Sequence, residues 1–156
     1  MARKLNPQGL ISQETYLFPD QAHLKDQVFN TFKTTAQRNS LPVTIAEEVY
    51  KSGGLLGSKD VLLTIDGGYK PFCVLGCTTY GNFLSVTLYT LVEDSLGNKL
   101  LSTVTRSPLD ALGSLGKDMI SIRDMQAFVA CVSATLEQAF GELSMKEYED
   151  NYKGVN

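Results

Sequence analysis

The sequence predicts an α+β domain in which an antiparallel sheet of about five strands carries an N-terminal helix and a long C-terminal helix on one face. Three observations support this class. Residues 72–106 alternate apolar and polar side chains in three runs, short turn signals separate these runs, and a helical apolar pattern stands on either side of the strands. Strands with short connections pair antiparallel, and each helix can bury a single apolar stripe on the sheet.

The chain divides into three parts by composition. Residues 1–18 show no clear period, but Leu10 and Ile11 make the segment apolar enough to pack on the domain as an extended N-terminal arm. We assign 19–143 to a single α+β domain and 144–156 to a polar C-terminal tail or short helix.

The first helix is expected to follow Asp20, a candidate cap, and to end near Asn39. Leu24, Val28 and Phe32 recur every four residues, which places them on one side of a helix.

Strands are predicted for 43–50, for the apolar run 61–65, and for the three runs of the meander. The turn signals in the meander are Tyr80-Gly81-Asn82 and Ser95-Leu96-Gly97-Asn98. Glycine and asparagine favour the backbone conformations that tight turns require. The expected order is therefore one helix, about five strands and then the C-terminal helices.

A short helix is predicted from Ser107 to Gly113, and the long helix follows it. Ser121 and Asp124 have the spacing of a capping box, and the helix is expected to close near Gly141. The stripe that would face the sheet consists of Met125, Phe128, Val132, Leu136, Ala139, Phe140 and Leu143.

Bulk composition limits the classes of partner. The chain has 156 residues, which fits one domain, and its net charge of −3 with a pI near 5.1 offers little attraction for nucleic acid. The N-terminus lacks the apolar segment of a secretory signal, and we see no window approaching the roughly 20 apolar residues of a membrane span. We therefore expect a cytoplasmic protein without nucleic-acid or membrane partners.

Residues that could support catalysis or metal binding are few. Cys73, Cys77 and Cys131 make an odd number, which favours reduced thiols, and His23 is the only histidine. A zinc site would need more ligands at closer spacing, and a cysteine nucleophile would need a nearby base. We predict no catalytic residue, no metal and no cofactor, and the sequence favours a protein that is not an enzyme.

The middle run of the meander gives the strongest signal for a binding surface. Alternation places Leu84, Val86, Leu88 and Val92 on one face and Phe83, Ser85, Thr87, Tyr89 and Leu91 on the other. The second set contains aromatics and hydroxyls but no charge, although a solvated sheet face usually carries charges. Depending on register, Cys73, Leu75, Cys77 and Leu101 are expected to join it.

Three occupants could cover this second set: the N-terminal arm or tail, a protein partner, or a ligand. The first functional hypothesis is a non-catalytic interaction module, a homodimer or assembly subunit that uses this face. The alternative is a small apolar ligand held in a pocket between the sheet and the long helix, with Ser85, Thr87 or Tyr89 orienting it.

Overall fold

A computed structural model describes residues 9–51, 58–93 and 118–145 of the chain. Its elements are β1 (Leu10–Phe18), a 3-10 turn (Ala22–Leu24), α1 (Lys25–Arg38), β2 (Thr44–Lys51), β3 (Lys59–Asp66), β4 (Phe72–Tyr80), β5 (Phe83–Leu91) and α2 (Met119–Glu142). The five strands form one antiparallel sheet in the order β1-β5-β4-β3-β2. The α+β class and the antiparallel sheet with two helices are therefore confirmed.

The N-terminal segment supplies one of the five strands. From Leu10 onward the predicted arm is strand β1, which pairs antiparallel with β5 and has an irregularity between Leu10 and Ser12. The exposed residues in its middle obscure the alternation that a strand normally shows. The third run of the predicted meander and the short helix after Ser107 lie outside the described residues.

Strands β4 and β5 form the predicted hairpin. Tyr80 pairs with Phe83 at its end, and Gly81 has a φ of 60° in the turn. Left-handed backbone is easily adopted by glycine because it lacks a Cβ, so the turn signal was correct. The two strands stay in register along their length, and Gly76 therefore produces no bulge.

Both helices pack on one side of the sheet, which we call the helix face. Their buried side chains form one core with the side chains of every second strand residue. The buried members of this core are Phe18, Val28, Phe32, Ala36, Leu63, Ile65, Cys73, Leu75, Cys77, Leu84, Val86, Leu88, Phe128, Val132, Leu136, Phe140 and Met145. The opposite side of the sheet is called the second face.

The C-terminal ends of both helices match the sequence pattern, and the N-terminal ends do not. α1 ends at Arg38 and α2 at Glu142, close to the predicted ends. The predicted Ser121 cap was wrong, because Asp118 is the N-cap of α2 and accepts a hydrogen bond of 2.8 Å from the Ser121 backbone N–H. This bond lowers the pKa of the Asp118 carboxyl.

The start of the first helix also differs from the prediction. Asp20 has a φ of 60° and lies before the 3-10 turn, so it does not cap α1. At the other end, Asn39 donates to Gln138 across 2.7 Å and Arg38 forms an ion pair with Glu142. These contacts join α1 to α2 at the edge of the core.

By length and composition alone, α2 could cross a membrane, since its most apolar window has a mean hydropathy of 1.2. The expectation that no window approaches a span does not hold for this helix by that measure. α2 buries Val132, Leu136 and Ala139 completely, and 28% of its apolar window as a whole is buried.

Candidate functional site

The predicted binding residues share one face of β5. Phe83, Ser85, Thr87, Tyr89 and Leu91 lie on the second face, while Leu84, Val86 and Leu88 belong to the core on the helix face. Phe83 is 39% exposed, and Ser85, Thr87 and Tyr89 are half-buried. Leu91 is buried.

The neighbours of these residues differ from those that we expected. Cys73, Leu75 and Cys77 lie on the helix face, because Leu75 pairs with Leu88 and Cys73 pairs with Thr90. A shift of one residue in register moves every side chain to the other face, and the sequence does not determine the register. The β4 residues on the second face are Phe72, Val74, Gly76, Thr78 and Tyr80. Leu101 lies outside the described residues.

No charged side chain occupies the second face along β1, β5 and β4. Register places Gln13, Thr15 and Leu17 of β1 opposite Tyr89, Thr87 and Ser85, so this side of β1 is uncharged too. Charges begin on the neighbouring strands, where Asp60, Glu48 and Asp66 lie on this face. A solvent-exposed sheet face normally carries charged residues at alternate positions of its strands. These three adjacent strands carry none on this face.

One end of the second face is buried and apolar. Tyr50, Leu62, Val74 and Leu91 are each 6% exposed or less and form a cluster with Leu10, Phe72 and Tyr89 around it. Within the described residues, this cluster consists of strand residues alone. The hydroxyls of Tyr50 and Thr64 share a hydrogen bond of 2.7 Å, which satisfies both groups inside the cluster.

The opposite end, at the β4–β5 hairpin, is exposed and aromatic. Tyr80 is 86% exposed, and it lies directly across from Phe83 on the neighbouring strand. Thr15 and Thr78 are also exposed on this part of the face. The second face therefore changes along its length from a packed apolar cluster to an accessible aromatic and hydroxyl surface.

A cleft of about 380 Å³ opens on the second face beside these residues. Its described lining consists of Tyr50, Lys51, Ser58, Asp60, Leu62, Gly76, Cys77, Thr78, Ser85, Thr87 and Tyr89. Three of the predicted site residues thus contribute to one concave surface. Six of these eleven residues carry a hydroxyl group, and the charges of the lining are those of Lys51 and Asp60.

A second, smaller cavity of about 190 Å³ lies beside the long helix. Leu41, Pro42, Val43, Tyr69, Asp124, Ala127, Phe128, Cys131 and Val132 line it. None of the residues predicted to orient a ligand reaches this cavity. The sequence analysis expected one pocket between the sheet and α2, with these side chains inside it. In the structure, the cavity beside α2 lies on the helix face, whereas Ser85, Thr87 and Tyr89 lie on the second face.

The two buried cysteines do not provide an activated nucleophile. Burial raises the pKa of Cys73 and of Cys77 from 9.0 to about 12, so both thiols are protonated at neutral pH. Cys131 is exposed on α2, and all three are free. In the described parts of the chain, no three His, Cys, Asp or Glu side chains group closely enough to hold a metal ion.

Sequence reasoning missed Tyr50, Lys51 and Asp60 as cleft residues. They come from β2 and β3, whose distance from β5 depends on strand order, and no local pattern carries that information. Gly76 was a usable signal: a Cβ added there would lie 3.0 Å from Leu62 Cδ2, so the missing side chain leaves room for Leu62.

Comparison with protein-family models, with curated proteins and with solved structures finds no match to this chain. The functional argument therefore depends on the geometry of the second face and of the cleft.

Proposed function

We propose that this chain is a non-catalytic interaction module that forms a homodimer, or joins a larger assembly, through the exposed end of the second face. The observation that supports this most is the uncharged surface of β1, β5 and β4. On it, Tyr80 and Phe83 expose aromatic area next to threonine and serine hydroxyls. Aromatic side chains are enriched at protein interfaces, where charged residues are depleted.

A second copy of this chain is the partner to test first. A two-fold dimer buries the same patch on both subunits, and an uncharged patch avoids bringing like charges together. Sheets can pack face to face with side chains from both interleaving, which suits the aromatic and hydroxyl surface at the hairpin end.

The test is a matched pair of double variants. Tyr80→Glu with Phe83→Glu introduces two negative charges on the second face, and we expect this protein to be monomeric where the wild type is dimeric, because the charges would be buried against the partner. Size-exclusion chromatography with light scattering measures the mass, and circular dichroism reports whether the monomer is folded.

The control changes two neighbouring exposed apolar residues elsewhere. Met119 and Ile120 at the start of α2 are 86% and 63% exposed. Met119→Glu with Ile120→Glu adds the same charge and should leave the dimer intact. If both double variants remain dimeric, or both become monomeric, the second face is not the interface.

The alternative, a small apolar ligand, has weaker support. The cavity beside α2 has about 190 Å³, below the roughly 300–1,000 Å³ typical of ligand pockets. The cleft on the second face is large enough and much of its lining is apolar, but it lies on the side of the sheet away from α2 and holds the charges of Lys51 and Asp60. A small organic mass that stays bound through purification and is lost on unfolding would favour this alternative.

The proposal retains the cytoplasm as the compartment. Three free cysteines support a reducing environment, since oxidising compartments favour disulfides.

A further inference from the structure

The sheet is split between β3 and β4. Their ladder consists of the pairs Leu63↔Leu75, Thr64↔Val74 and Ile65↔Cys73, whereas β2 and β3 pair along eight positions and β4 and β5 along nine. Beyond the last pair, β3 extends through 59–62 and β4 through 76–80. These facing segments do not pair with each other, although both are central to the sheet.

Cavities open on both faces at this split. One is the cleft on the second face, and the other, also about 380 Å³, lies on the helix face beside α1. The second is lined by Lys25, Asp26, Phe29, Asn30, Glu47, Lys59, Asp60, Val61 and Cys77. Asp60 and Cys77 line both cavities, so both openings adjoin the unpaired segments, and we call the gap between 59–62 and 76–80 the slot.

The inner end of the slot is closed by a side chain. Leu62 lies over Gly76, where even a Cβ would come within 3.0 Å of its Cδ2 atom. Thr78 and Asp60, further from the last ladder pair, line the open part. The slot is therefore closed next to the ladder and accessible toward the hairpin end of β4.

The charges around the slot are balanced. The two linings together contain three lysines and three acidic residues, namely Lys25, Lys51, Lys59, Asp26, Glu47 and Asp60. This lining has no net preference for an anion or a cation. The segments 59–62 and 76–80 instead carry main-chain groups that no β3–β4 ladder pair uses, although the Val61 N–H donates to Asp60 Oδ1 across 2.9 Å.

We propose that the slot between β3 and β4 binds an extended segment of a partner polypeptide, which pairs with 76–80 of β4 as an added strand. An extended peptide matches alternating donors and acceptors, and strand addition uses main-chain hydrogen bonds for affinity and alternate side-chain pockets for specificity. Its side chains would enter the cleft at Ser85 and Thr87 on one face and the cavity at Phe29 on the other. This inference concerns the plane of the sheet and goes beyond the second-face dimer.

A disulfide that closes the slot tests the proposal. Continuing the register from Leu63↔Leu75 would bring Val61 opposite Cys77. Val61→Cys in a Cys131→Ser background can bridge to Cys77 under a copper oxidant only if the strands close, because a disulfide requires Cα atoms about 4.4–6.8 Å apart. A variant that also carries Cys77→Ser cannot form this bridge and serves as the control.

The probe is a pool of capped tetrapeptides that alternate threonine with an aliphatic residue. With the reduced variant, we expect amide chemical shifts of 59–62 and 76–80 to change; oxidation should abolish these changes, and a reductant should restore them. Peptides with proline at the aliphatic positions should give no change, because proline removes the N–H donor of every second residue and disfavours strand pairing. Absence of peptide-dependent shifts at the slot in the open protein would overturn the proposal, as would equal shifts with the proline peptides.

A substitution that fills the cleft tests the proposal even if the disulfide does not form. Ser85→Phe places a large side chain in the cleft and should abolish the peptide shifts. Ile120→Phe, at an exposed position of α2 that lines neither cavity, should preserve them. Shifts that persist in Ser85→Phe would overturn the proposal. The locked protein should keep the wild-type oligomeric state, so the slot and the second-face dimer can fail separately.

Discussion

The two faces of β5 differ in chemistry although one strand builds both. On the helix face, Leu84, Val86 and Leu88 are at most 2% exposed beneath α1 and α2. On the second face, Ser85 and Thr87 are half-buried, and only the end near Leu91 is packed. Aliphatic side chains thus seal one face, while hydroxyls and aromatics leave the other available for contact. Under the function that we propose, stability depends on one side of the sheet and binding on the other.

Truncating one phenylalanine on each side should give the largest difference. Phe32 on α1 is fully buried, and Phe32→Ala is expected to lower the free energy of unfolding by about 3–5 kcal/mol, through lost burial and the cavity left behind. Phe83 is 39% exposed, so Phe83→Ala should cost the monomer about 1 kcal/mol or less.

Urea unfolding at low protein concentration measures both values, with the dimer dissociated. Similar losses of unfolding free energy for the two variants would contradict the view that the helix face provides stability and the second face does not.

A smaller change in the free energy of unfolding should appear at alkaline pH. Cys73 and Cys77 lie on the helix face, where burial raises the pKa of each from 9.0 to about 12. Their protonated form is favoured by folding, so this contribution is fully present below pH 9 and is lost as the pH rises from about 9 to about 12. Burial, with Glu14 adding to the effect, also raises the pKa of Tyr16, which acts in the same direction.

Substitution separates the thiol contribution from that of Tyr16. Cys73→Val keeps the side chain apolar and of similar size, and it should flatten the decline in unfolding free energy between pH 9 and 11. The same slope in the variant and the wild type would show that the Cys73 thiol is not responsible.

The sequence was sufficient for the fold class and for the two faces of β5, because alternation and helical periodicity are local properties. It was insufficient where distant segments meet. β1 lacked a recognisable period because its middle is exposed, and Cys73, Leu75 and Cys77 were assigned to the wrong face because register depends on pairing.

The candidate site divides in the same way. Ser85, Thr87 and Tyr89 were found from the pattern of one strand, and they line the cleft. The slot was not predictable, since no sequence feature gives the length of the β3–β4 ladder. The α2 cap was missed because Asp118 and Ser121 both have capping side chains, and the helix begins at the earlier one.

The most direct test of the proposed homodimer is a native mass spectrum of the untagged wild-type protein at two concentrations. The second-face proposal predicts a dimer without added mass, whose share grows with concentration. A monomer at both concentrations would contradict the homodimer, and a monomer that carries a small organic adduct would favour the ligand alternative instead.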